Sequence, residues 1–304
     1  MRYPNPDLLV YIGMADAYAA ATEYLRLPGD QATLNRVLAF TGYERHPRHN
    51  EAPGAYTDDT EMSIANAHVL TRKTSSTPID FADAYVAEFI RGGKRRGYAQ
   101  GFYRLLCSVN DGRELLDKIR PDSTKNGAAM RAVPFGVIPD VDELFRLATR
   151  QASVTHQTIP GEFSARAVAL MAHFALYGSA PLRELPQFCL DVLPRKDVRD
   201  FNVAFSAPWP NGQPVKESTY SVAEITVRAA VTAVSRHESL MEMLEWIIRC
   251  GGDTDTVAAI AWGIASCRYR DERLPEFLLR DLEGATYLRD VGAKLMRAYA
   301  SKGK

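Results

Sequence analysis

The stretch Cys250-Gly251-Gly252-Asp253-Thr254-Asp255-Thr256-Val257-Ala258-Ala259-Ile260-Ala261-Trp262-Gly263-Ile264-Ala265 divides into two physically different halves. From Val257 onward it is small and apolar on every face, which suits a helix packed tightly inside a core. The first half places two carboxylates at i and i+2. In a regular helix such positions point about 200° apart, so Asp253 and Asp255 share one cation only if the backbone turns there. The Gly251-Gly252 pair allows such a turn. A solvated helix cap needs one Asp; two, alternating with threonines after a Gly-Gly lead, exceed that need.

Working outward, helical periodicity dominates the chain. Apolar residues recur at three- and four-residue steps over 7–26, 58–72, 80–91, 139–151, 161–177, 221–236, 238–249, 255–269 and 284–300. No segment alternates strictly over several turns, and neither Asn211-Gly212 nor Asp111-Gly112 lies between two strand-like runs. The expected class is all-α. Irregular chain is expected at 40–56, 119–127 and 204–219, where Gly and Pro cluster. None of these is long enough for a linker and no repeat is visible, so residues 1–304 are expected to form one compact domain and to act as a monomer.

Bulk properties exclude several functions. Of 304 residues, 46 % are hydrophobic and 24 % charged, with 37 basic and 37 acidic side chains, so no net field gathers phosphate backbones and nucleic acid is not the expected partner. No apolar run reaches the ~18 residues of a membrane span, and the N-terminus carries no signal-peptide pattern. The scattered Cys107, Cys189, Cys250 and Cys267 read as reduced packing thiols of a cytoplasmic protein.

A second acidic cluster, Tyr56-Thr57-Asp58-Asp59-Thr60-Glu61-Met62, opens the run at 58–72. It reads as an N-cap, with Glu61 completing a capping box from Asp58. Yet adjacent carboxylates repel, and a divalent cation is the usual offset. On the first helix Asp16 and Glu23 are seven apart, two turns, hence on one face of an Ala-rich segment. Such carboxylates call for a salt bridge, a cap or a metal. Ser123-Thr124-Lys125-Asn126-Gly127-Ala128-Ala129-Met130 is a small polar loop running into a helical turn, a seat for phosphate oxygens. His156, at an expected helix end, reads as a dipole partner or a ligand contact.

These five segments, in this order from residue 11 to 269, resemble the ADP-ribosylglycohydrolase family, magnesium-dependent hydrolases that release ADP-ribose from modified targets. The specific matches are Thr57-Asp58-Asp59-Thr60-Glu61-Met62 and Gly251-Gly252-Asp253-Thr254-Asp255-Thr256, supported by Asn126–Arg131 and Thr155-His156. The resemblance implies a compact orthogonal bundle of many helices. It implies two Mg²⁺ ions, with Mn²⁺ as a substitute, on Thr57, Asp58, Asp59, Asp253, Asp255 and Thr256. It places Glu23, with Asp58 and Asp255, at the chemistry, and Asn126, Gly127, Met130 and His156 against ADP-ribose or an ADP-ribosylated molecule. Two departures stand out: Ala15-Asp16 with Ala19 where the family usually carries glycines, and Lys125 where a glycine often precedes the asparagine. Both concern the substrate wall, while the ligand set is complete.

Oxygen-only ligands suit Mg²⁺ or Mn²⁺ better than zinc, and Glu23 is the best candidate for acid–base work. Two rival readings are open. Asp253-x-Asp255-x-Val257 also fits the aspartyl-phosphate signature of dehalogenase-type phosphatases, which needs a β-strand before it, whereas Met241–Ile248 reads as helical. A relative that binds ADP-ribose without turnover is the other.

Overall fold

Trp262 and its neighbours lie at the centre of the molecule. The computed structural model describes residues 1–48, 50–72 and 76–300; position 49, inside the stretch expected to be irregular, lies outside them. Helix Thr254–Tyr269 is buried along its whole length from Thr254 to Cys267. Its most extensive partner is the first helix, Leu8–Ala19. Gly263 makes that approach possible, because a side-chain carbon there would stand 2.8 Å from Ile12 Cγ1. Two polar tethers reinforce the packing: Trp262 Nε1 donates to Leu240 O (2.8 Å) and Asn5 Nδ2 to Ser266 Oγ (2.9 Å).

Around this pair pack Asp58–Thr71, Ile159–Tyr177, Val222–Arg236, Leu240–Cys250 and Ala285–Tyr299, while Pro78–Arg91 and Val141–Ser153 form a further layer. Among the described residues there are 17 α-helices and no β-strand, only two isolated bridges, Asp122 to His156 and Val215 to Gly252. The class is all-α, as expected. No described helix is long and apolar enough to cross a membrane. The cysteines are unpaired, three buried and Cys107 exposed.

The expected helices are present with ends displaced by a residue or two, except the first. The run 7–26 stops as an α-helix at Ala19, continues as a 3₁₀ turn over Ala20–Thr22 and leaves helical geometry at Glu23. Nothing in the Ala-rich sequence signals that stop. At the stop Ala19 O accepts from the local Thr22 Oγ1 (2.8 Å) and from the distant Thr254 Oγ1 (3.0 Å), and the two hydroxyls lie 3.0 Å apart. The two-turn arithmetic for Asp16 and Glu23 therefore fails, although both side chains reach the same site. Short helices such as Gln31–Val37, Gln100–Cys107, Gly112–Lys118 and Leu185–Val192 carry too few turns to show a period. One of them, Val203–Ser206, intrudes on the stretch expected to be irregular from 204.

Candidate active site

Thr57 is extended (φ −100°, ψ −164°) and caps the helix that starts at Asp58: its Oγ1 accepts from Asp59 N (3.3 Å) and donates to Asp59 Oδ2 (3.1 Å). The capping box expected between Asp58 and Glu61 does not form. With Thr57 as cap, the box position is Thr60, and Glu61 falls one place late. Its carboxylate turns inward instead, accepting from Tyr98 OH (2.7 Å), with Arg95 Nε 3.5 Å away. Burial pushes Glu61 up to about 7.

Asp16, fully buried, ties the first helix to this cap. Its carboxylate accepts from Thr57 N (3.0 Å), Thr60 N (3.2 Å) and Thr60 Oγ1 (2.5 Å). Between the salt bridge, cap and metal readings of this side chain, the structure shows a cap-like role.

On the other side, Gly251 and Gly252 both have positive φ (77° and 82°). A side chain on Gly252 would stand 2.2 Å from Val215 O. Its neighbours are bonded to that strand-like residue, Asp253 N to Val215 O at 2.8 Å and Val215 N to Gly251 O at 3.0 Å. This is the turn the glycines were expected to make. It leaves Asp253 outside the helix (φ −80°, ψ 72°) and Asp255 in its first turn. Gly252 O also receives Tyr24 N at 2.8 Å, which places Glu23 beside the pair.

Two trios of carboxylates result. One oxygen each of Asp16, Asp59 and Asp255 lie within 4.8 Å of one another, and so do those of Glu23, Asp253 and Asp255. Asp58 belongs to neither trio; it is half-buried on the cavity wall against Gly97. Thr256 lines the same wall, and its N–H donates to Asp255 Oδ1 (3.0 Å). Burial, then mutual repulsion, raises these acids: Glu23 to about 8 under Asp253, Asp58 to about 8 under Asp16, and Asp59 and Asp255 well above the carboxylate range. Among the described residues Asp59 Oδ1 is buried with no hydrogen-bond partner. An orphaned carboxylate oxygen amid hard oxygen donors fits a Mg²⁺- or Mn²⁺-type cation, which would neutralise the repulsion.

Four of the five acids in the trios, Glu23, Asp59, Asp253 and Asp255, line a cavity of about 680 Å³, within the usual size for small-molecule sites. Asn126, Gly127, Met130 and His156 line it too, with Arg120, Lys125 and Lys216. Asn126 Nδ2 donates to Asp253 Oδ2 (2.7 Å) and Thr226 Oγ1 (3.1 Å), so this asparagine braces the acidic cluster. The polar loop does run into a helical turn, Gly127–Met130. His156 is buried, and burial followed by the Arg131 charge depresses it to about 3.

Sequence reasoning missed a further stretch of the lining, Gly97, Ala99, Gly101, Phe102 and Leu105. Its only signal is the glycine cluster Gly92, Gly93, Gly97 and Gly101 between helical patterns. Arg95 anchors this stretch, donating to Tyr56 O (2.9 Å) and pairing with Glu283 (2.7 Å). It also missed Arg131, a buried cation behind His156.

The dehalogenase-type reading fails on geometry, since helix Leu240–Cys250 and not a strand precedes Asp253. A zebrafish protein, "ADP-ribosylhydrolase ARH3", is 24 % identical over 88 % of this chain and 84 % of its own length. The "ADP-ribosyl-[dinitrogen reductase] glycohydrolase" of Rhodospirillum rubrum is 23 % identical over 90 % of this chain and 88 % of its own. A solved structure titled "ADP-ribosylglycohydrolase-related protein complex" shares the fold, with a TM-score of 0.72 and 23 % identity over 97 % of this chain and 98 % of that one. The family model described as ADP-ribosylglycohydrolase matches residues 12–304, so this chain belongs to the ADP-ribosylglycohydrolase family.

Proposed function

We propose that this protein hydrolyses the glycosidic bond at C1″ of ADP-ribose, releasing ADP-ribose from a modified acceptor, in a reaction that requires two Mg²⁺ or Mn²⁺ ions. The observation that carries this reading is the convergence of Glu23, Asp59, Asp253 and Asp255, from three distant segments, on the wall of one cavity, with Asp16 grouped with Asp59 and Asp255. Thr57, Asp58, Asp59, Asp253, Asp255 and Thr256 would hold the cations, with Asp16 adding a carboxylate that the sequence motif does not name. Bound there, such cations supply Lewis-acid polarisation and charge neutralisation.

The chain's own residues account for the rest. The reaction breaks the C1″–acceptor bond, adds water at C1″ and returns one proton to the departing nitrogen or oxygen, through an oxocarbenium-like state. Glu23, a member of the second trio and held by Tyr24 N on Gly252 O, handles that proton or orients the water. Asn126 braces Asp253, while Gly127, Met130 and His156 shape the wall against the nucleotide. The whole chain acts as one unit, because residues on its first helix and on Thr254–Tyr269 complete the same site.

The test is incubation with a panel of acceptors carrying ADP-ribose on arginine, serine, a nucleobase, a phosphate or a polymer, with and without Mg²⁺. Mass detection of released ADP-ribose from at least one acceptor, only with the cation, is expected. Cation and ADP-ribose binding without release from any acceptor would instead mean a silent relative.

A further inference from the structure

His156 Nδ1 lies 2.6 Å from Thr155 Oγ1. The same oxygen receives Arg131 Nη2 at 2.8 Å. A guanidinium only donates, so Thr155 Oγ1 accepts from it and keeps one proton to give. Among the described residues no hydrogen bond takes that proton anywhere but to His156 Nδ1. Nδ1 is then an acceptor, and the ring proton sits on Nε2. Arg131 is itself immobilised: Nε donates to Gln151 Oε1 (2.6 Å), Nη2 also reaches Gln151 O (3.1 Å), and the guanidinium lies 4.5 Å from the centre of the Tyr85 ring. Gln151 Nε2 closes the network on Ala128 O at 2.9 Å, in the turn that carries Gly127.

At the far end, His156 Nε2 is buried and has no hydrogen-bond partner among the described residues. Buried donors are rarely left so. The ring borders the cavity beside Gly127, where a side-chain carbon would stand 2.8 Å from Cε1 and 3.2 Å from Nε2. With no side chain on Gly127, this edge of the ring is left beside the cavity that both residues line.

We propose that Arg131 and Thr155 are positioning residues that fix the His156 ring with its proton on Nε2, committing the cavity wall at Gly127 to a ligand oxygen that accepts a hydrogen bond. The ligand half rests on the ADP-ribose reading above; the tautomer half does not. A positively charged or donor-only group is refused there, and a phosphate or ribose oxygen is taken.

The test uses the full chain with ¹⁵N-labelled histidine rings, the His156 signals being assigned by their loss in His156→Gln. At pH 7, long-range ¹H–¹⁵N spectra should show Nε2 protonated and Nδ1 as the acceptor. Thr155→Ser should keep that pattern, and Thr155→Val should let the proton populate both nitrogens. ADP-ribose should shift the Nε2–H resonance, and bind roughly tenfold more weakly to Thr155→Val but not to Thr155→Ser. A proton on Nδ1, an imidazolium at pH 7, or an unchanged tautomer in Thr155→Val would overturn the positioning role. ADP-ribose that binds but leaves Nε2–H unmoved would overturn the ligand contact. A wild-type protein with the expected tautomer and no affinity for ADP-ribose would instead overturn the proposed function.

Discussion

Replacing Asp16 by alanine should cost the metal-free protein roughly 2–6 kcal/mol. Its carboxylate serves three donors at the start of the Asp58 helix: Thr57 N, Thr60 N and Thr60 Oγ1. The Thr60 hydroxyl is free to rotate toward a backbone carbonyl one turn back. The two amides have no such freedom, and a buried unsatisfied donor costs about 1–3 kcal/mol. Against a domain stability of ~5–15 kcal/mol, that loss is severe. Asp16→Asn separates shape from charge. Its amide oxygen takes the place of Oδ2, the oxygen that meets all three donors, so stability should fall by only about 1 kcal/mol. Its charge is gone from the Asp16–Asp59–Asp255 trio, however, so Mg²⁺ affinity should fall. Urea unfolding in EDTA, reading midpoint and slope, measures the first effect, and calorimetric Mg²⁺ titration the second. Alanine and asparagine variants within 0.5 kcal/mol of wild type would refute the claim that Asp16 organises this helix start, a threshold set by ordinary surface substitutions.

Glu23→Gln should lower turnover by ~10²–10⁴-fold with little change in ADP-ribose affinity; near-normal kcat would remove Glu23 from the chemistry. Asp255→Asn, which takes one charge from both trios, should abolish divalent-cation binding while the circular dichroism spectrum stays helical, and wild-type Mg²⁺ affinity by calorimetry would sink the ligand assignment. Activity should vanish in EDTA and return with Mg²⁺ or Mn²⁺ but poorly with zinc; a chelator-resistant enzyme would make the acidic clusters structural. Stability of the chelated protein should depend on pH. Glu23 and Asp58 titrate near 8 when folded, against ordinary values of 4.5 and 3.8. The folded state thus holds protons that the unfolded chain has released, so melting temperature should fall as pH rises from about 4 through 8. Excess Mg²⁺ should flatten that fall, and a flat EDTA profile would contradict the repulsion described here.

The sequence by itself determined the helical class, most long helices and the two acidic clusters. Each of these is local. A 3.6-residue period repeats over several turns in Ile159–Tyr177 or Leu240–Cys250, and the Gly251-Gly252 turn is written in residues that tolerate positive φ. Only the tertiary structure decided where the first helix stops, because Thr254, more than two hundred residues away, joins Thr22 on the carbonyl that would have continued it. It alone showed Asp16 as the bond between two helices, Glu61 as a buried acceptor for Tyr98 one position past a capping box, and Arg131 behind His156. These depend on which distant donor meets a given acceptor once water is excluded. A lone Asp, Glu or Arg carries no period and no spacing rule to announce its partner.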